Sequence, residues 1–496
     1  MSPANPADAM ATWRPNFGSL SAAYKDWDPS RPVRIAVLGD FAAAPGEGSE
    51  RTGPTLAQAS RPLAVEFDSL DRALARLAPR LSLPLGPQGS TIDIGFAALE
   101  DFHPDALFDR LEIFHALASL RQRLGSPTDF AAAAAELMQG AAQASAAPAP
   151  RDPNLTDFAR LVGAAALAAP GPVSPMDAWL RHLVAPHVQP AADPRRDELV
   201  ASVDASLTEL MRGVLHHPQF QALESLWRGL DLLLRRIETS ADLSVHLLNV
   251  PQSSFVADLL ASDDLADSGL YQLLVEQPAQ EVDGGYTLVL GCYQFDTTPQ
   301  QVEMLGRIAG IAQRAGAVFI SGVQPAAFAA APDGPDALPP VSVRAWHALQ
   351  GLGAANHLAL AAPRFMLRYP YGQRTDPIAR FAFEEFDPQA GSRARLWGHP
   401  AWLLAGLLAG PDADQVSGQL AAVVGDLPFH FALDPHGDQV ALPCTELWVG
   451  ADAAAHMAAL GLVAVVGHRG LPQVQLAPLQ SLGTGPLRVR SAGAAA

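Results

Sequence analysis

Apolar positions fall into two alternating regimes along the chain, and the alternation predicts its elements. Val33, Ile35, Ala36, Val37 and Leu38 form a short apolar run that stops at Gly39-Asp40-Phe41, which predicts a buried strand ending in a turn. Leu63, Val65 and Phe67 alternate as a second strand. Leu70, Leu74, Leu77 and Leu81 then space as one helix face behind Asp68, a residue type suited to an N-cap. Ile92, Ile94 and Phe96 alternate again. From Pro104, the positions Leu107, Leu111, Phe114, Leu117, Leu120 and Leu124 predict one long amphipathic helix. The first 130 residues therefore read as a compact α/β unit.

Beyond residue 131 the chain becomes Ala- and Pro-rich, and residues 141–153 read as a linker that can bury little. Two short helical segments follow at about 154–168 and 175–185. A longer helix after Asp193-Pro194 carries Leu199, Val203, Leu207, Leu210 and Val214 on one face. The most ordered helical pattern comes next: Phe220, Leu223, Trp227, Leu230, Leu234 and Ile237 step by three and four, with Pro218 in the first turn. Apolar runs at 245–250, 287–292, 318–321 and 358–361 predict strands separated by helices or loops, the pattern of a sheet, with parallel pairing expected, sandwiched by helices.

The segment from Leu215 to Glu238, with His216-His217-Pro218, Phe220, Leu223-Glu224 and Trp227-Arg228-Gly229 in order, resembles the signature of the large sheath subunit of the type VI secretion system, the TssC family. The resemblance continues through Tyr293-Gln294-Phe295, Ala362-Pro363-Arg364-Phe365-Met366-Leu367-Arg368-Tyr369-Pro370-Tyr371-Gly372, Phe383-Glu384-Glu385-Phe386, Leu396-Trp397-Gly398 and Leu442-Pro443-Cys444-Thr445-Glu446. The first unit resembles the small sheath subunit, the TssB family, at Val37-Leu38-Gly39-Asp40-Phe41, Leu77-Ala78-Pro79-Arg80-Leu81 and Leu99-Glu100-Asp101-Phe102-His103-Pro104-Asp105-Ala106-Leu107-Phe108.

Together these imply a fusion of two sheath-like α/β units with mixed sheets flanked by helices: a TssB-like domain at 1–140, the Ala/Pro-rich linker at 141–153, a helical connector at 154–198 and a TssC-like domain at 199–496. The implied role is mechanical, in or on a contractile sheath, with other sheath, inner-tube or baseplate proteins as partners. In the TssC family a helix near the N-terminus is read by the AAA+ ATPase ClpV. Leu155, Phe158 and Val162 are the candidates for such a face, against the alternative of a helix packed on its own domain. The family also carries a further segment after the part resembling 461–480. Its absence before Ala496 suggests the alternative role of a non-polymerising adaptor, terminator or regulator that binds sheath or baseplate.

Composition narrows the chemistry. Of 496 residues, 49% are hydrophobic and 17% charged, which suits a folded chain of more than one core. The net charge of −18 and the absence of clustered Lys and Arg argue against nucleic-acid binding. The longest apolar run, near 401–409, is too short to span a bilayer, no signal peptide is evident, and a cytoplasmic location is expected. Cys292 and Cys444 are expected as two buried thiols rather than a disulfide.

No catalytic, cofactor or metal site is expected. The Gly-rich phosphate-binding motifs and the G-x-S-x-G elbow are absent, and Gly351-Leu352-Gly353 reads as a turn. His216 and His217 lie at a helix start, where capping is expected rather than metal binding. Glu384 and Glu385, expected on a strand and so pointing to opposite faces, read as an ion pair with Arg368 or Arg380 rather than as an acid and base.

Overall fold

The computed structural model describes residues 14–20, 32–43, 56–85, 91–146, 195–281, 284–325, 338–387, 391–410, 421–433, 438–483, 485 and 487. In the N-terminal stretch these form β1 (Val33–Gly39), β2 (Leu63–Val65), α1 (Leu70–Leu77), β3 (Arg80–Leu83), β4 (Ile92–Gly95), α2 (Pro104–Arg110), α3 (Glu112–Gly125) and α4 (Phe130–Ala146). After residue 194 come α5 (Arg196–Leu215), α6 (Pro218–Arg236), β5 (Leu243–Asn249), α7 (Gln252–Leu260), β6 (Leu288–Phe295), α8 (Pro299–Ala315), β7 (Val318–Val323), α9 (Pro340–Gln350) and β8 (Leu358–Ala362). The remainder adds β9 (Phe365–Met366), β10 (Trp397–Gly398), α10 (Ala401–Ala409), β11 (Ala422–Val424), β12 (Phe431–Leu433), β13 (Gln439–Ala441), α11 (Ala451–Ala459), β14 (Leu462–Gly467) and β15 (Val474–Ala477).

One nine-stranded mixed sheet organises the molecule, in the order β11-β15-β14-β8-β7-β6-β1-β5-β2. The six strands from β14 to β5 run parallel to one another, whereas β2, β15 and β11 join antiparallel. β1 lies inside this sheet, between strands that come more than 200 residues later. It pairs with β5 from Val33↔Leu243 to Gly39↔Asn249, and with β6 from Ile35↔Leu288 to Leu38↔Gly291.

The N-terminal stretch therefore shares its sheet with the later part of the chain. All seven residues of β1 are buried, as a strand covered on both faces must be, and such a run has no place at a solvated edge. Side-chain alternation divides it between two cores. Val33, Ile35 and Val37 join the cluster that contains Trp227, while Ala36 and Leu38 join the one beneath α8.

Several boundaries depart from the periodicity. The stripe expected to run from Leu70 to Leu81 ends at Leu77, because Ala78 turns left-handed (φ 44°) ahead of Pro79, and Leu81 lies in β3. Asp68 sits in a short 3₁₀ turn, and Ser69 precedes the helix. The long helix expected from Pro104 breaks at Leu111, whose backbone is extended, into α2 and α3. Its apolar residues keep a common face because both pieces pack toward the same core. Helix α4 continues through Ala146 into the expected linker, since the alanines there are strong helix formers. The rest of the linker, and Leu155, Phe158 and Val162, lie outside the described residues.

Helix α6 forms where the sequence places it. Pro218 occupies the first turn, His217 Nδ1 accepts the Gln219 N–H at 3.3 Å, and Arg235 and Arg236 sit in the last turn. Phe220, Leu223, Trp227, Leu230 and Leu234 are buried as the stripe requires. Glu224, Leu226, Gly229 and Leu233 are buried too, so the helix is enclosed on more than one side. Gly229 allows the closest approach: a Cβ there would lie 2.1 Å from Trp402 Nε1 of α10.

Candidate functional site

Two features converge where α6 meets the N-terminal stretch: a seam of aromatic and polar contacts, and a buried charge network. The seam begins at the carboxyl end of β1. Gly39 lies so close to Leu226 that a Cβ would sit 2.9 Å from its methyl group. Asp40 follows Gly39, and then the Phe41 ring meets Trp227 edge-on at 5.2 Å while the Trp227 indole N–H donates to the Phe41 carbonyl at 3.2 Å. Further along, Phe96 stacks on Phe102 at 4.3 Å, and both meet Phe220 edge-on at 5.9 and 5.7 Å. Such aromatic geometry contributes about 0.5–1.5 kcal/mol per pair beyond area burial.

Helix α2 carries the polar half of the seam. Pro104 starts it, and His103 accepts the Asp105 N–H at 3.2 Å. The Asp105 carboxylate accepts the Ala379 and Arg380 backbone N–H groups at 3.0 Å, Asp109 pairs with the Arg380 guanidinium, and Phe108 meets Phe381 at 5.6 Å. On the opposite flank, Arg121 of α3 pairs with Asp204 of α5. Residues 369–387 thus strap the N-terminal stretch to the body.

The charge network lies beneath the strap. Arg368 donates from Nε to Glu224 Oε1 at 2.9 Å, and from Nη1 and Nη2 to both oxygens of Glu385 at 2.7 and 3.0 Å. Arg228 donates to Glu224 Oε1 at 2.7 Å and to the Tyr371 hydroxyl at 3.1 Å. The Tyr371 backbone N–H donates to Glu385 Oε2 at 2.8 Å, and its ring lies 4.2 Å below the Arg368 guanidinium. Two guanidiniums thus balance two carboxylates that water does not reach. Burial alone would raise the Glu385 pKa. The attraction of Arg368, with hydrogen bonds from Arg368 and the Tyr371 N–H, outweighs it and holds the carboxyl down at about 2. The network is a closed set of ion pairs and hydrogen bonds, in which Arg368 and the Tyr371 N–H keep Glu385 ionised.

Of the two arginines expected to pair with the glutamates, Arg368 does so and Arg380 turns to Asp109. Glu384 and Glu385 lie in an irregular segment rather than on a strand, yet they diverge as expected. Glu384 Oε1 accepts the Gln373 N–H at 3.0 Å, and its carbonyl accepts from Arg212 at 2.7 and 3.0 Å. Gly372 is small because Glu384 crowds it: a Cβ would meet Oε2 at 2.3 Å. Pro363 precedes Arg364, which pairs with Glu446 through two hydrogen bonds of 2.6 and 2.8 Å. The Pro370 carbonyl accepts from Thr375. Trp397 and Gly398 pair with Met366 and Phe365, and the Trp397 carbonyl accepts from Ser225 at 2.7 Å.

A cavity of about 260 Å³ lies at the carboxyl end of β6, lined by Ser225, Cys292, Gln294, His399 and Trp402 among others. It brings a thiol near an imidazole, but not as a nucleophile and base. His399 Nε2 donates to the Tyr293 carbonyl at 2.7 Å and Nδ1 accepts the Ala401 N–H at 3.3 Å, so both ring nitrogens are engaged in the neutral form. Burial pushes its pKa down to about 4 and pushes the Cys292 thiol well up. Cys292 and Cys444 are both free thiols, Cys444 buried and Cys292 partly so. Among the described residues, no group of three or more His, Cys, Asp or Glu side chains could hold a metal ion, and no helix is long and apolar enough to cross a membrane.

Sequence reasoning singled out α6, Arg368 and Glu385. It quoted His103 and Asp105 within a signature without a role for them and did not pick out Arg212 or Asp109; Asp105, Asp109 and Arg212 find partners in distant segments that leave no local pattern. Residues 197–482 match the family model described as VipB: EvpB/VC_A0108, tail sheath N-terminal domain. Residues 29–139 match the model described as type VI secretion system, VipA, VC_A0107 or Hcp2. The type VI secretion system sheath protein TssC1 of Pseudomonas aeruginosa is 31% identical over 220 residues, which cover 42% of this chain and 44% of that relative. The chain thus spans less than half the length of the relative it matches.

Proposed function

The chain belongs to the VipB (EvpB/VC_A0108) tail sheath family, and from that premise we propose that it is a structural component of a type VI secretion system. In this reading it is a single-chain fusion of small and large sheath subunits that acts in or on the contractile sheath. The small-subunit part covers residues 1–140, the linker 141–153, a helical connector 154–198 and the large-subunit part 199–496. The observation that carries the reading is the position of β1 between β5 and β6: a strand of the VipA-matching stretch completes the sheet of the VipB-matching stretch.

Fusion fixes the two parts at one-to-one stoichiometry and raises their effective concentration. A mechanical part must transmit force between neighbours without coming apart internally; the seam opposes such separation, and the Arg368 network anchors the 369–387 strap that forms one side of it. The proposed partners are other sheath, inner-tube or baseplate proteins, and ClpV through a face at Leu155, Phe158 and Val162. Electron microscopy of the purified chain, alone and with the proteins encoded beside it, tests the role. Incorporation into tubes or attachment to their ends is expected, and no association with any sheath, tube or baseplate protein would overturn the reading.

A further inference from the structure

Arg395 stands apart from the other arginines around the strap. Arg212, Arg228, Arg364, Arg368 and Arg380 each pair with a carboxylate. Arg395, partly buried just ahead of β10, forms no ion pair among the described residues, and its Nε is enclosed without a hydrogen-bond partner. Shortage of carboxylates is not the reason, since the chain carries 51 Asp and Glu against 33 Lys and Arg.

Aromatic rings hold Arg395 instead. Its guanidinium carbon lies 5.3 Å from the centre of the Trp397 ring and 5.7 Å from that of Phe386, contacts that fix a cation without occupying its N–H groups. The His430 imidazole, just ahead of β12, lies against the same Phe386 ring at 4.5 Å. Burial lowers the pKa of both side chains, and Arg395 lowers that of His430 further. Glu384 and Glu385 act on His430 in the opposite sense. Their carboxylates are engaged elsewhere, Glu384 by the Gln373 N–H and Glu385 by Arg368 and the Tyr371 N–H. A desolvated guanidinium beside an imidazole, with no carboxylate among the described residues paired to it, lacks a counter-ion.

We propose that Arg395 and His430 form an oxyanion-binding site, which takes a carboxylate or phosphate group from outside the chain. A guanidinium offers such a group parallel N–H bonds in a fixed fork, and packing on Trp397 and Phe386 pre-orders the side chain so that little freedom is lost on binding. His430 adds an N–H donor and, once protonated, a second positive charge, so affinity rises as pH falls through the histidine range. The bound anion in turn favours protonated His430. The site does not rest on the sheath reading.

His430 reports occupancy. The full-length chain, isotopically labelled at histidine, is titrated with sodium acetate and, separately, with inorganic phosphate, each exchanged for chloride at constant ionic strength. The His430 resonance, assigned through His430→Asn, is followed by NMR. A saturable shift in the millimolar range is expected, with the His430 pKa raised by about 0.5 or more at saturation. Saturation by acetate marks a carboxylate site and saturation by phosphate a phosphate site; either sustains the proposal. Arg395→Gln should weaken binding about tenfold or more, and if that variant does not fold, Arg395→Lys, which keeps the charge and loses the fork, takes its place. No saturable response to either anion in the native chain overturns the proposal without recourse to a variant, as does a response that the Arg395 substitution leaves unchanged in a chain of native circular dichroism.

Discussion

Arg368→Met tests the buried network with a sign that packing alone does not produce. The guanidinium is enclosed and bridges Glu224 and Glu385, whose side chains are 0% and 1% exposed. Without it Glu224 keeps Arg228, but Glu385 keeps only the Tyr371 N–H and His216 at 3.7 Å. Stranding one carboxylate in the core costs about 3–5 kcal/mol at pH 7.

In the native protein the Glu385 pKa is depressed from 4.5 to about 2. Its contribution, on the order of 3 kcal/mol, is present above pH 4.5 and lost as pH falls toward 2. In the variant the depressing charge is gone and burial raises the pKa instead, so acidification from pH 7 to pH 5 relieves the stranded charge. Urea unfolding at the two pH values reads both effects. The difference between native and variant is expected to narrow by at least about 1 kcal/mol at pH 5. A loss under about 1 kcal/mol at pH 7, or the same loss at both, would refute the role given to Arg368.

Trp227→Ala is expected to cost roughly 3–5 kcal/mol through a core cavity, whereas His217→Ala loses only a helix cap, about 1 kcal/mol; near-equal losses in chemical unfolding would contradict the division. His399 is held neutral with its pKa lowered from 6.5 to about 4, so stability present above pH 6.5 is lost as pH falls toward 4. His399→Gln should flatten that slope, and an unchanged slope would remove the assignment. Asp105→Ala frees the Ala379 and Arg380 amides, and hydrogen exchange at those two positions should quicken by about tenfold; unchanged protection would show that the strap is held elsewhere.

Local pattern carried much of this fold. Helix α6 was legible because its apolar spacing, its Pro218 start and its basic last turn all agree. Six of the nine strands of the large sheet, β1, β2, β5, β6, β7 and β8, were legible as short apolar or alternating runs, whereas β11, β14 and β15 were not picked out. What could not be read was their assembly, since a buried run such as Val33–Leu38 specifies burial on both faces but not its neighbours. The break at Leu111 escaped periodicity because both helices keep the same apolar face. At the site, Glu385 and Arg368 lie 17 residues apart in two neighbouring signatures, so their pairing was among the expected choices. The link from Asp105 to Ala379 crosses 274 residues, and no spacing rule reaches that far.

The central claim is that the N-terminal stretch is an integral part of one body, held by β1 and the seam rather than by the chain that joins it. A protease site inserted between Ala149 and Pro150, followed by cleavage and size exclusion with light scattering, measures this directly. The account predicts that the two fragments co-elute at the mass of the uncut chain and separate only in denaturant. Two independently folded fragments eluting apart under native conditions would contradict it.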